Sequence, residues 1–358
     1  MRVAGQIAPW LTWALALPLV VLNGWLLLTA VNYLQPLVNI LVIATVLSFL
    51  LDYPIKLLQS WGIRRSWAVL GVLLVALSGV TVAGITLVPV ILKQVNELVV
   101  RLPNWLASGT AQVEALETWA QAHRVNLDLS GLAEQLTTGV SRQLKTLTTQ
   151  VLGLAVDTVS WVVDLLVTLV LTLYLVLFGE RLWAGLFSWF PARLGTLIRQ
   201  SLHRNFYNYF LGQATIAVIL GTVMTLAFVL LQVPLALLFG LIIGVASLVP
   251  FGGAVGILVI SLLITLQNVW LGLKVFATAF VLGQMNEHLV APRILGNVVG
   301  LNPVWIVLSL LLGAKLAGLL GLLIAVPVAG SIKSVADNLR QPPPRPPEVQ
   351  PVREQVVV

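Results

Sequence analysis

Leu248-Val249-Pro250-Phe251-Gly252-Gly253 interrupts a stretch, Asn205 to Leu273, that carries no charge; the nearest charged residues are Arg204 and Lys274. One bilayer crossing takes about 20 apolar residues, so this run exceeds a single span, and Pro234 and the Pro-Phe-Gly-Gly segment break it at membrane depth. A broken helix is implied. Backbone groups freed by such a break find no water in lipid, so the break must be buried in protein or line a cavity. Transport sites are built in this way.

The composition agrees with a membrane setting. The 358 residues are 59% hydrophobic and 9% charged, with a mean hydropathy of +1.00, whereas soluble domains are about 45–50% apolar and about 25% charged. The chain therefore reads as an all-α polytopic membrane protein. Its net charge of +7 comes from Lys and Arg in short stretches beside apolar spans, which suits the inner leaflet and gives no reason to invoke nucleic acid. There are no cysteines, and His123, His203 and His288 make no ligand spacing. Pro9 to Val31 is too long for a signal-peptide core and reads as a retained first helix.

Full crossings are expected at Pro9–Tyr33, Pro36–Leu51, Trp67–Leu92, Val151–Phe178 and Phe206–Leu231. Lys56, Arg64 and Arg65 follow the second; Arg181, Arg193, Arg199 and Arg204 follow the fourth. Two crossings separate these basic loops, so both face one side, the cytoplasm by the positive-inside rule, and both termini fall there too. The organisation that follows is 1–92, membrane helices; 93–150, a charge-balanced extramembrane helical region on the outside; 151–204, the fourth helix and a basic loop; 205–336, a core with two hairpins; and 337–358, a Pro-rich disordered tail. Within 93–150, Leu129, Leu132, Leu136, Val140, Leu144, Leu147 and Val151 form one apolar stripe, for packing within the region or for a subunit contact.

A shift of 69 residues places Pro234 on Pro303, Gly244 on Gly313 and Gly252 on Gly321. Each copy holds a membrane helix, a linker ending in Pro, an apolar arm, a Gly break and a second arm. If each pair of arms is a re-entrant hairpin, a copy contains an odd number of crossings, and the second copy is inverted. The expected fold is about six full crossings, the sixth beginning at Val275, plus two re-entrant hairpins. A single crossing at Leu235–Gln267 is the alternative.

Few residues are suited to carry chemistry. Glu287, with Gln284 three residues before it, either lines a polar path or is a solvated end beside Arg293. Lys315, between Gly313 and Gly318, either snorkels to water or pairs with a solute or carboxylate. Asp157 and Asp164 share a helical face with Trp161, Asp164 being the deeper. No P-loop, metal spacing or Ser/His/Asp arrangement is present, so neither an enzyme nor a cofactor is implied.

Tyr209-Phe210-Leu211-Gly212-Gln213, Val249-Pro250-Phe251-Gly252, Gln284-x-x-Glu287, Val290-Ala291-Pro292-Arg293-Ile294-Leu295-Gly296, Gly300-Leu301-Asn302-Pro303 and Ala325-Val326-Pro327 occur in that order. Together they resemble the autoinducer-2 exporter family, also called PerM-like permeases, over roughly residues 9 to 335. The resemblance implies a multi-pass protein of the bacterial inner membrane, with about eight membrane elements, forming a homopentamer and working by an elevator motion. It also implies export of a small polar signal such as autoinducer-2, or, as in other members, sodium/proton antiport. The first break carries Ser247 and no acidic residue, which lends no support to a cation site there.

The expected pathway lies between the two hairpin tips and the helices of Gln213 and Gln284. Its residues are Gln213, Pro250, Phe251, Gly252, Gly253, Gln284, Glu287, Gly313, Lys315 and Gly321, with Glu287 or Asp164 as the carrier if the chain is an antiporter. A non-transporting membrane scaffold is the reading from another class; broken helices give it no support.

Overall fold

Apolar segments of this length are driven to helix, because in hydrocarbon every backbone N–H and C=O needs a partner from the protein. A computed structural model describes residues 9–123, 158–295 and 301–340, and every regular element among them is helical. In order they are α1 (Pro9–Ser60), α2 (Arg65–Ala122), α3 (Thr158–Phe187), α4 (Ala192–Leu230), α5 (Ala236–Ala246), α6 (Gly252–Gln267) and α7 (Val269–Met285). A π-helical turn (Asn286–Val290), α8 (Ala291–Leu295) and α9 (Pro303–Arg340) complete the described chain.

Six stretches among the described residues are long and apolar enough to span a bilayer: Tyr33–Ser60, Arg65–Ala122, Val163–Phe187, Ala192–Leu230, Val269–Leu295 and Pro303–Arg340. Much of their apolar surface faces outward, including Leu74, Val75, Ile85, Leu166 and Val170. Water would not tolerate so large an apolar surface on a lone chain; lipid does. The protein is a multi-pass membrane protein.

The count equals the six crossings expected, but its members differ, and Pro303–Arg340, read from the sequence as the second hairpin, is broken at Ala317-Gly318. The expected crossings Pro9–Tyr33 and Pro36–Leu51 are one uninterrupted helix of 52 residues. Asn32-Tyr33-Leu34-Gln35-Pro36 contains neither glycine nor charge to turn the chain back, and the helix runs through Pro36. The helix α2 is likewise continuous for 58 residues, about 87 Å at 1.5 Å per residue, and carries Pro89 and Pro103 inside it. It passes Lys93, where the sequence divides a crossing from an external region, without a boundary. The Leu129–Val151 stripe, Asp157 and the tail from Gln341 lie outside the described residues.

Helices in lipid gain little from burying apolar surface against one another, so close packing decides their contacts, and small residues permit it. Where α4 meets α5, Gly221 and Gly244 bring the two backbones together: a Cβ on Gly244 would stand 2.8 Å from the Ala217 carbonyl oxygen and from the Gly221 Cα. Met224, Phe228, Phe239 and Ile243 fill the space beside this contact, with Ile257, Ile260 and Ile264 of α6 and Val275 of α7 in the same core.

The C-terminal half of α2 joins that core through Leu102 and Trp105. It also supplies polar ties. Gln94 Oε1 accepts a hydrogen bond from the Leu238 backbone N–H at 2.8 Å, and Gln112 Nε2 donates to the Leu266 carbonyl at 3.3 Å. The first of these caps α5, whose preceding residue, Leu235, lies in the left-handed region (φ 62) and offers no side-chain cap. A long helix thus clasps both ends of the α5–α6 pair.

A second core, Ile55, Ala68, Val69, Val72 and Val176, joins α1, α2 and α3. Arg65 reinforces it, donating to the Val176 carbonyl at 3.1 Å and lying 3.8 Å from Glu180.

Candidate functional site

Two chain reversals define the centre of the molecule. At the first, α5 ends at Ala246, five residues turn, and α6 begins at Gly252; Phe251 holds a left-handed conformation (φ 66). The arms then lie side by side, Gly256 of α6 against Ile243 and Ala246 of α5. At the second, α9 loses helical geometry at Ala317 (φ −139, ψ 21) and Gly318 (φ 58, ψ −135). Gly313 and Gly321, about 12 Å apart along an unbroken helix, instead touch backbone to backbone; a Cβ on Gly313 would lie 2.9 Å from the Ala325 Cβ.

The second break differs from the sequence reading in its position. Gly321 was expected to be the break; the turn is at Ala317-Gly318, and Gly321 sits one turn into the returning arm, where its missing Cβ lets the arms meet. Nor do the glycines paired by the 69-residue shift play equal parts. Gly313 packs on its own hairpin partner, whereas Gly244 packs on α4.

The first turn and the two arms of the second reversal meet α4 near Tyr209–Gln213. Gln213, buried, donates its Nε2 to the Ser247 carbonyl at the first turn. The Ser247 hydroxyl donates to the Gly244 carbonyl at 2.6 Å. Val249 packs against a third core made of Tyr209 and Phe210 from α4 and Leu310, Ala325 and Val326 from α9. Gly253 faces Leu220 of α4, with 3.5 Å between its would-be Cβ and a leucine methyl. The α6 N-terminus has no side-chain cap.

The expected residues divide between this centre and the surface. Gln213, Pro250, Gly252, Gly253, Gly313 and Gly321 are buried or half-buried around the two reversals. Phe251 is at the first turn with its side chain exposed. Gln284 and Glu287 are both exposed, and Lys315 is exposed just before the second turn. Asp164 is exposed on α3, where its backbone carbonyl accepts a bond from Thr168 at 2.6 Å. Among the described residues, none of Asp164, Glu287 and Lys315 has an ion-pair partner.

Two buried polar groups escaped the sequence reading. The Tyr209 hydroxyl and Asn286 Oδ1 are buried with no hydrogen-bond partner among the described residues. Buried polar groups are nearly always paired, so each such atom needs an account. For Asn286 a signal existed: it continues the buried face of Gly272, Val275 and Ala279, while Gln284 points to the opposite face. It also opens the π-helical turn, a feature frequent at functional sites. Tyr209 gave no periodic signal that separates it from its aromatic neighbour.

The buried polar side chains among the described residues are hydroxyls and amides: Thr168, Thr172, Ser201, Asn205, Gln213, Ser247, Ser261, Asn286 and Ser331. Among the described residues no charged side chain is buried with them. No group of three or more His, Asp or Glu residues gathers as metal ligands among the described residues. Such a centre is equipped to form hydrogen bonds and to shape a path.

Broken, apolar, multi-pass helices around a neutral polar centre have a match in sequence comparison. Residues 15–341 match the AI-2E family transporter family. The chain belongs to that family. It is 37% identical to "Putative transport protein sll0060" of Synechocystis sp. (strain ATCC 27184 / PCC 6803 / Kazusa), covering 92% of this chain and 96% of the relative. It is 23% identical to "Putative permease PerM" of Escherichia coli (strain K12), over 82% and 85% of the two chains. It is also 23% identical to "AI-2 transport protein TqsA" of the same organism, over 89% and 94%. The chain is therefore a membrane transporter of the AI-2E family, a permease in class.

Proposed function

We propose that this AI-2E family protein is a secondary transporter for a small, uncharged, hydroxylated solute, whose path runs between the two chain reversals and α4. One observation carries the reading: the first turn and the arms of the second reversal pack on Tyr209–Gln213, and the buried Tyr209 hydroxyl there has no hydrogen-bond partner among the described residues. A solute hydroxyl would supply that partner. The first N–H groups of α6 would add further neutral contacts. The name of TqsA refers to AI-2, and a compact polar signal of that kind fits a site of hydroxyls and amides.

In this reading both arm pairs are re-entrant, each entering and leaving on one side, and the two halves of 205–336 form an inverted repeat. The basic loops after α1 and α3 and the C-terminal end of α9 face the cytoplasm of a bacterial inner membrane. Movement of the paired arms against the α1–α3 scaffold would carry the solute across in an elevator fashion. A homopentamer is what the family resemblance implies. Sodium/proton antiport is the competing reading; it has the weaker support because Glu287 and Asp164 are both exposed.

The test is reconstitution into liposomes with and without a pH or sodium gradient, followed by flux of a panel of hydroxylated and charged solutes. Flux of a neutral polar solute is expected, and Gly321→Leu should abolish it while the protein still inserts, because a side chain there overlaps the Gly313 backbone. Normal flux in Gly321→Leu, or flux of cations alone, would defeat the reading.

A further inference from the structure

Away from the two turns, a cavity of about 810 Å3 opens between α1, the end of α3 and the start of α4. It is of the size that holds a ligand, commonly about 300–1,000 Å3. Two aromatic walls face it. On one side Trp183 stacks on Phe187 at 5.8 Å, and Phe190 follows Phe187 at 6.3 Å. On the other, Phe49 meets His203 edge-on at 5.4 Å and Phe206 at 6.3 Å.

Arg199 also lines the cavity, and no carboxylate lies within ion-pairing distance of it among the described residues. Glu180, the acidic residue of the lining, lies 3.8 Å from Arg65. The site stands where the charges of α4, Arg193, Arg199 and Arg204, give way to its charge-free run from Asn205. A bilayer places phosphates at such a boundary, with acyl chains directly beyond it. Basic pockets between membrane helices on the cytoplasmic side take anionic headgroups.

We infer that this cavity binds an anionic phospholipid, its phosphate on the Arg199 guanidinium and the upper part of an acyl chain between the Trp183–Phe187 and Phe49–Phe206 walls. Arginine suits the phosphate because its planar fork donates two parallel hydrogen bonds. The aromatic walls favour an amphiphile over a free anion, which would leave them unfilled. Placing the cavity at the cytoplasmic leaflet rests on the orientation proposed above, but the lipid preference itself does not.

The test uses the full chain in detergent, where neither orientation nor transported solute enters. Native mass spectrometry would count bound lipid during titration with phosphatidylglycerol and with phosphatidylcholine of equal chain length. Phosphatidylglycerol should bind about tenfold more tightly, because both lipids carry the phosphate but the choline cation of phosphatidylcholine cancels its net charge and is repelled by Arg199. Arg199→Gln should erase that preference, whereas Arg193→Gln, exposed and outside the lining, should keep it. Ala184→Trp, which fills the cavity from its apolar wall, should weaken both lipids; it also decides the matter if Arg199→Gln fails to fold. Inorganic phosphate should not displace the lipid. Equal binding of the two lipids overturns the inference, as does equal loss in Arg193→Gln, which would mean a diffuse basic surface. Displacement by inorganic phosphate would make this an anion site without a lipid.

Discussion

The Tyr209 hydroxyl is in an unusual position for a group in the interior of a membrane protein: 2% of the residue is exposed, and no protein atom bonds its oxygen among the described residues. Leaving a buried hydroxyl unpaired costs about 1–3 kcal/mol, so its removal should not harm the fold. Gln213, four residues on, is the opposite case, since its amide satisfies a carbonyl at the end of α5. Tyr209→Phe therefore separates stability from function. The variant should melt at the same temperature or slightly higher, while solute binding weakens about tenfold through loss of the hydrogen bond. Thermal denaturation in detergent and solute binding on one preparation check both halves. A lower melting temperature with unchanged binding would make the hydroxyl a structural group with a partner of another kind.

At the scale of elements, the paired arms decide how the chain crosses the bilayer. If α5 and α6 form a re-entrant hairpin, their outer ends emerge on one side. Gln232 and Asn268 mark those ends and are exposed, and the chain has no native cysteine, so Gln232→Cys and Asn268→Cys give clean labels. Both should react with an impermeant thiol reagent from the same face of oriented vesicles; reaction from opposite faces would make 236–267 a simple crossing. The sequence made this pair legible because Pro250, Gly252 and Gly253 interrupt an otherwise uniform apolar run, and such breaks are local signals. Contacts over long sequence distances were not legible. The capping of α5 by Gln94 joins residues 144 apart, and nothing near either residue announces the other. The turn at Ala317-Gly318 was misplaced to Gly321 for a related reason: in this Gly-rich segment, one glycine serves a left-handed turn and another a close approach, and composition does not distinguish them.

For the whole molecule, the distribution of charge separates the competing transport mechanisms. An ion-coupled carrier needs a titratable group that reaches water on each side in turn and is shielded between, which favours a carboxylate near the moving path. Here the interior polar groups are neutral among the described residues, while Glu287 stands on the exposed side of the chain next to buried Asn286. Glu287→Gln keeps the size of the side chain and much of its hydrogen bonding but removes its charge. Under the neutral-solute reading, liposome flux should persist within about fivefold, since an exposed charge contributes at most about 1 kcal/mol, and its dependence on an imposed pH gradient should not change. Under antiport, gradient-driven flux would vanish and its pH dependence would go with it. Asp164→Asn, made in parallel, completes the comparison: if it alone removes gradient-driven flux, coupling passes through α3, and the neutral centre at Tyr209–Gln213 is a gate beside an ion path.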